Sequence, residues 1–178
     1  MTDLLVLGLL ATNGALSGYD IQTAMESSQT DTWAYVKPAS IYYALKKLAE
    51  KNYVSLQKVE TTGHRTRAIY EITDAGKKHF QHLIAKGLEK NSIVFPANLY
   101  SALTFIEDLP AEKALHHLNI QFQNIEQLYR QMNAVKQLKI SLDAYPEHVQ
   151  LIFENIFRQC QLQLDTLKAI KEYLEKSK

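Results

Sequence analysis

The chain has 178 residues, 46% hydrophobic and 22% charged, with a formal net charge of +1. This suits a soluble globular protein of one sizeable domain or two small ones, and the whole-chain charge announces no nucleic-acid partner. A single cysteine, Cys160, excludes an intrachain disulfide and fits a reducing cytoplasm. Residues 4–11 follow Asp3 rather than a basic stretch and make a poor signal peptide. No apolar run approaches the roughly 20 residues of a membrane helix, so no membrane partner is expected.

In chain order, residues 4–12 (LLVLGLLAT) are apolar on nearly all sides and predict a helix buried on more than one face, ended by Asn13 and Gly14. Ser17 is an N-cap for a second helix over 18–28, with Tyr19, Ile21, Ala24 and Met25 inward. Residues 29–37 read as a connector whose Trp33, Tyr35 and Val36 pack back on the core. Residues 38–53 (PASIYYALKKLAEKNY) read as one helix, with Pro38 in its first turn. Ile41, Ala44, Leu45 and Leu48 form its apolar face; Ala39, Tyr42, Tyr43 and Lys46 lie opposite, flanked by Ser40 and Lys47. Taken alone this is an ordinary amphipathic helix.

The period then changes. Residues 54–59 alternate, residues 61–67 (TTGHRTR) form a basic turn, and residues 68–73 alternate again, which predicts a hairpin. Asp74 caps the next helix, with Phe80, Leu83, Ile84 and Leu88 inward. From Lys37 to Lys78 there are nine positive side chains against four negative ones, so the basic excess falls on the helix and hairpin together. Three helices, a hairpin and a helix make a winged helix-turn-helix plan, in which one helix enters a major groove and the wing touches backbone or minor groove. Tyr42, Tyr43 and Ser40 are the candidates for base-edge or close phosphate contact. Lys37, Lys46 and Lys47 are assigned to phosphate, and His64, Arg65 and Arg67 to the wing contact.

Three stretches, LGLLATNGALSGYDI (7–21), KPASIYYALKKLAEKNYV (37–54) and RAIYEITDAGKKHF (67–80), resemble the PadR family of transcriptional regulators. YSALTFIEDLPAEKALHHL (100–118) also resembles the helical C-terminal half of its longer members, and the likeness weakens after about Met132. Asn52 stands where many relatives carry Gly, and Asn accepts the same left-handed angle. The resemblance implies a dimeric repressor on an inverted-repeat operator in double-stranded DNA. In relatives, phenolic acids or flat hydrophobic drugs act as effectors. Trp33, Tyr35, Tyr100 and the C-terminal aromatics could line such a pocket at the junction of the two halves, or Trp33 could be a core or interface aromatic; the sequence identifies no effector.

Residues 91–97 read as a linker. A short helix over 98–107 turns Leu99, Ala102, Leu103 and Ile106 inward, and Pro110 starts a long helix from Ala111 to about Asp143. Leu115, Leu118, Phe122, Ile125, Tyr129 and Met132 step by three and four, before the seam shifts to Val135, Leu138 and Leu142. Residues 143–146 turn the chain. Val149, Phe153, Ile156, Cys160, Leu164, Leu167 and Leu174 line a second long helix, widened by Leu151, Ile152 and Phe157. Faces this wide need a partner: the hairpin packs on its own N-terminal domain, or it meets its twin in a second subunit. A two-fold operator favours the twin, with Leu115, Leu118, Phe122, Ile125, Val149, Phe153, Ile156, Cys160 and Leu167 as dimer-interface candidates.

The expected architecture is mainly α with a small β-hairpin wing: a winged-helix domain over residues 1–90 and an all-α dimerisation domain over 91–178. His79 and His82, and the adjacent His116 and His117, lack the converging ligands of a metal site. No phosphate loop and no nucleophile elbow occurs, and Cys160 sits on an apolar seam. No cofactor, no metal and no catalysis is expected. A different class remains open: an interaction adaptor whose winged helix no longer binds DNA.

Overall fold

The computed structural model describes residues 1–62, 65–89, 91–141 and 146–176. They divide into two compact units, Met1–Ser92 and Ile93–Lys178.

The first unit begins with α1 (Thr2–Asn13), which buries Val6, Leu7 and Leu10 and half-buries Leu4, Leu5 and Leu9. Apolar residues on nearly every side are thus in contact with neighbours, as the sequence pattern predicts. β1 is only Leu16–Ser17, and it leads directly into α2 (Gly18–Ser27). Ser17 caps α2 in a capping box with Asp20, which satisfies two donors at the helix start. Tyr19 does not face inward: it is 51% exposed, while Ile21 and Met25 are buried. Residues two apart lie on opposite sides of a helix, so Ile21 inside puts Tyr19 outside.

The predicted connector contains one helical turn, α3 (Thr30–Trp33). Its anchors are Ala34 and Val36, both buried. Tyr35 is thrown outward at a φ of +51° and Trp33 remains exposed, so these two aromatics do not pack back on the core. α4 (Pro38–Glu50) follows, with Pro38 in its first turn and Ile41, Ala44, Leu45 and Leu48 buried. Each large side chain on that face contributes about 1.5–3 kcal/mol by leaving water. The helix ends before Tyr53 because Asn52 takes a left-handed φ of +57°.

β2 (Val54–Thr62) and β3 (Arg65–Ile72) are antiparallel, and β1 pairs with the far edge of β3, giving the order β1-β3-β2. Both hairpin strands run further than the sequence pattern predicts, because residues 61–62 and 65–67 continue the pairing, with Glu60 opposite Arg67 and Thr62 opposite Arg65. A bulge between Leu56 and Lys58 shifts the register. Val54 is buried on the core side of it, whereas Leu56 and Val59 are exposed. α5 (Asp74–Leu88) is capped by Thr73, not Asp74: the Thr73 hydroxyl accepts from the Gly76 amide at 3.0 Å and donates to the Asn52 carbonyl at 2.7 Å. Phe80 and Leu83 pack on the core, but Ile84 and Leu88 are exposed.

In the second unit, α6 (Ala97–Thr104) and a 3-10 turn (Ile106–Asp108) precede α7 (Ala111–Ser141) and α8 (Glu147–Lys176). Leu99, Leu103 and Ile106 join Ala114, Leu118, Leu167 and Leu174 in one cluster, while Ala102 stays exposed. Lys171 Nζ donates to Asn119 Oδ1 at 2.7 Å and Tyr129 meets Phe157 at 5.0 Å, so α7 and α8 run antiparallel. The predicted turn lies largely outside the described residues, as does Leu142. No described helix is long and apolar enough to cross a membrane.

Candidate nucleic-acid interface

Burying the Ile41–Leu48 stripe leaves the opposite face of α4 in solvent. Tyr42 and Tyr43 are 52% and 70% exposed, Lys37 and Lys46 are exposed, and Ser40 is half-buried. Lys47 is placed differently. Its Nζ pairs with Asp3 Oδ2 at 3.0 Å and so ties α4 to α1. That hydrogen bond and the charge of Asp3 raise the ammonium pKa. Lys47 is thus engaged within the unit, and Lys37 and Lys46 carry the exposed charge of the face.

The start of α2 abuts this face. Gly18 is buried, and a Cβ built there would come within 2.6 Å of Tyr42 Cε1. The missing side chain lets the tyrosine ring lie against the helix backbone. β3 closes the third side. A cleft of about 220 Å³ lies between these elements, with Tyr19, Tyr42, Lys46, Thr66 and Arg67 among its walls. Three residues named from the sequence, Tyr42, Lys46 and Arg67, therefore meet at one place.

Arg67 is held from two sides. Its Cζ lies 4.8 Å over the centre of the Tyr19 ring, and its Nη1 is 3.9 Å from Asp20 Oδ1. Hydrogen bonds from Ser17, side chain before backbone, outweigh burial and keep the Asp20 carboxyl below its usual pKa; Arg67 adds to this. Tyr19 and Asp20 are the site residues that sequence reasoning missed. The spacing of Ile21 and Met25 could have placed Tyr19 outside. Nothing in the sequence pairs Asp20 with a residue 47 positions on. His64 and the side chain of Arg65 lie outside the described residues.

In the second unit, Leu118, Phe153, Cys160 and Leu167 are buried within the single chain. Leu115, Phe122 and Ile125 pack on the same cluster as Leu118 and Leu167, and Val149 and Ile156 are half-buried. Much of the seam read from the sequence thus closes α7 onto α8. Apolar side chains of α7 and α8 left in solvent include Ile120, Leu151, Ile152 and Leu162. Burial pushes the Cys160 thiol pKa up, the opposite of what a nucleophile needs. His79 stacks on Tyr53 at 4.2 Å, and the His116 and His117 rings meet edge to face. Among the described residues no cluster of His, Cys, Asp and Glu could hold a metal.

The face has a small residue and two aromatic hydroxyls on a helix, a lysine beside them and an arginine on the adjoining strand. Such a surface can enter a groove, hydrogen-bond base edges and neutralise phosphates. Comparison with known proteins gives the same direction. Residues 6–82 match the transcriptional regulator PadR-like family. The whole chain resembles the crystal structure of Bacillus subtilis PadR in complex with operator DNA, with a TM-score of 0.76 and 21% identity over 97% of this chain and 98% of that one. It also resembles the same protein in complex with p-coumaric acid (TM-score 0.70, 20% identity, 98% and 97% covered). A PadR-like transcriptional regulator from Bacillus cereus gives a TM-score of 0.73 at 19% identity, with 97% and 94% covered. At these identities the likeness to the solved structures is one of fold. No curated protein matches.

Proposed function

Residues 6–82 form a domain of the transcriptional regulator PadR-like family, and from that premise we propose that the chain is a homodimeric, sequence-specific repressor of an inverted-repeat operator, released by a small aromatic effector. The observation that carries the reading is the meeting of Tyr42, Lys46 and Arg67 at one cleft, where a helix face and a wing strand can engage one stretch of duplex. A two-fold operator needs two such faces about 34–36 Å apart, one turn of DNA. The exposed Leu151, Ile152 and Leu162 of α8 support a second copy as the spacer. Operator DNA and p-coumaric acid, bound by the Bacillus subtilis neighbour, are the chemistry carried over. Both copies must engage together, so an effector that changes their separation would remove the avidity.

The test is fluorescence anisotropy on a labelled duplex from the region upstream of the chain's own gene, with unlabelled random duplex as competitor, across a salt series. Binding that survives the competitor and weakens steeply with salt is expected, because phosphate neutralisation releases counterions. Added p-coumaric acid should then release the duplex. Equal competition by random duplex would reduce the reading to backbone affinity on that fragment. No binding at low salt would turn it toward an interaction adaptor.

A further inference from the structure

Beside the cleft that carries the proposed function, against its wall residue Arg67, stands a carboxylate, Asp20, on a surface meant for phosphates. Its two oxygens have separate partners. Oδ2 accepts from the Ser17 amide at 3.0 Å and from the Ser17 hydroxyl at 2.6 Å, which fixes the carboxylate at the helix start. Oδ1 faces Arg67 Nη1 at 3.9 Å. Both side chains are more than a third exposed, so water screens the pair and it binds weakly. The Tyr19 ring under the guanidinium keeps Arg67 in place whichever anion it faces.

We propose that Asp20 is an affinity-setting positioning residue: an internal stand-in for a DNA phosphate that holds Arg67 at the cleft and must give way before Arg67 contacts duplex. Resting on the DNA-binding reading, this assigns a role to an acidic group that weakens affinity for any duplex in general. A phosphate approaching the cleft meets the Asp20 charge and an arginine already paired. A phosphate that reaches Arg67 replaces the 3.9 Å partner with a direct charge-assisted hydrogen bond, at the cost of the pair. That cost is the same for every duplex, so the pair lowers affinity for duplex in general and adds no preference for one sequence.

The experiment uses the full chain and the Asp20→Asn variant, whose amide oxygen can still accept from the Ser17 amide and preserve the cap. Affinity is measured on random duplex and on the upstream fragment, across salt, with thermal melting alongside. The variant should bind both duplexes about three- to tenfold more tightly. Its log–log salt slope on random duplex should steepen by about one counterion. In an Arg67→Gln background the same change should have a much smaller effect. Unchanged affinity and slope on both duplexes would overturn the proposal while leaving the DNA-binding reading intact. If the chain and the variant bind neither duplex at low salt, both fall. Arg67→Gln alone leaves the cap untouched and serves if Asp20→Asn lowers the melting temperature. It must weaken binding and flatten the salt slope on both duplexes, and unchanged affinity and slope would refute the hand-over.

Discussion

Replacing Gly18 with alanine should disturb the proposed interface while leaving the fold standing. The new Cβ would lie 2.6 Å from Tyr42 Cε1 and 3.0 Å from Cδ1. Restoring ordinary contact at 3.4 Å requires the ring to retreat by about 0.8 Å. Tyr42 is half-exposed, so its ring can swing outward at a cost of order 0.5–1.5 kcal/mol in an off-rotamer side chain. Against this, alanine favours the helix over glycine by up to about 1 kcal/mol. Stability should change by less than about 1 kcal/mol, or a few degrees in Tm. Affinity for the upstream duplex should fall about five- to tenfold, near 1 kcal/mol, because the displaced ring no longer meets the groove in register. Anisotropy titration and thermal melting read the two effects separately. Adding Gly18→Ala to Tyr42→Ala should then cost almost nothing more. A Gly18→Ala protein that binds like the parent would refute the role of Tyr42, and one that loses affinity equally in the Tyr42→Ala background would show the effect does not run through that ring.

A Cβ at Gly76 would lie 2.0 Å from the Tyr53 carbonyl oxygen and 2.8 Å from Ile72 Cγ1. Backbone cannot yield as a side-chain tip can, so Gly76→Ala should cost at least about 3 kcal/mol, read as a lower urea midpoint. His79 has its pKa lowered from 6.5, first by burial and then by the charge of His82; Lys51 and Lys47 act the same way and Asp3 against it. The unfolded chain therefore takes up a proton that the folded one resists. The His79 contribution to stability should rise with pH from the depressed value up to about 6.5 and be flat above it. Urea titrations between about pH 5 and about pH 8 should give a shallower rise for His79→Gln, and identical curves would remove His79 as the cause. Ile152→Glu puts a charge on an exposed apolar site of α8. Sedimentation should show a shift from dimer to monomer with the helical signal retained, and an unaltered dimer would move the interface elsewhere.

The helical elements were legible wherever an apolar stripe repeats at three and four. α4 is the clearest case, since burial of Ile41, Ala44, Leu45 and Leu48 and the turn at Asn52 follow from pattern and backbone preference. The misses share a different cause. The aromatic character of Trp33 and Tyr35 suggests burial, but the positive φ at Tyr35 turns that ring outward and Ala34 and Val36 are the residues buried. Thr73 caps α5 because its hydroxyl also reaches the Asn52 carbonyl, a contact across 21 positions. β1 has two residues and no period to read. At the candidate site, Tyr42 and Lys46 were visible as the polar side of a helix. The approach of Gly18 to Tyr42, and the pairing of Asp20 with Arg67, depend on three segments meeting in space. Local pattern carries no record of such meetings.

Among the described residues, the strand order β1-β3-β2 leaves one side of β2 without a neighbouring strand, with Leu56 and Val59 exposed on β2. An open edge bearing apolar side chains is a template on which another unfolded or misfolded chain could add itself. The bulge between Leu56 and Lys58 answers that hazard, because two residues on one strand facing one on the other break the hydrogen-bond spacing an incoming strand would have to match. Lys58, paired with Glu60 at 2.6 Å, adds a charged pair to the same edge. The irregularity in the hairpin register thus also guards the protein against self-templated aggregation.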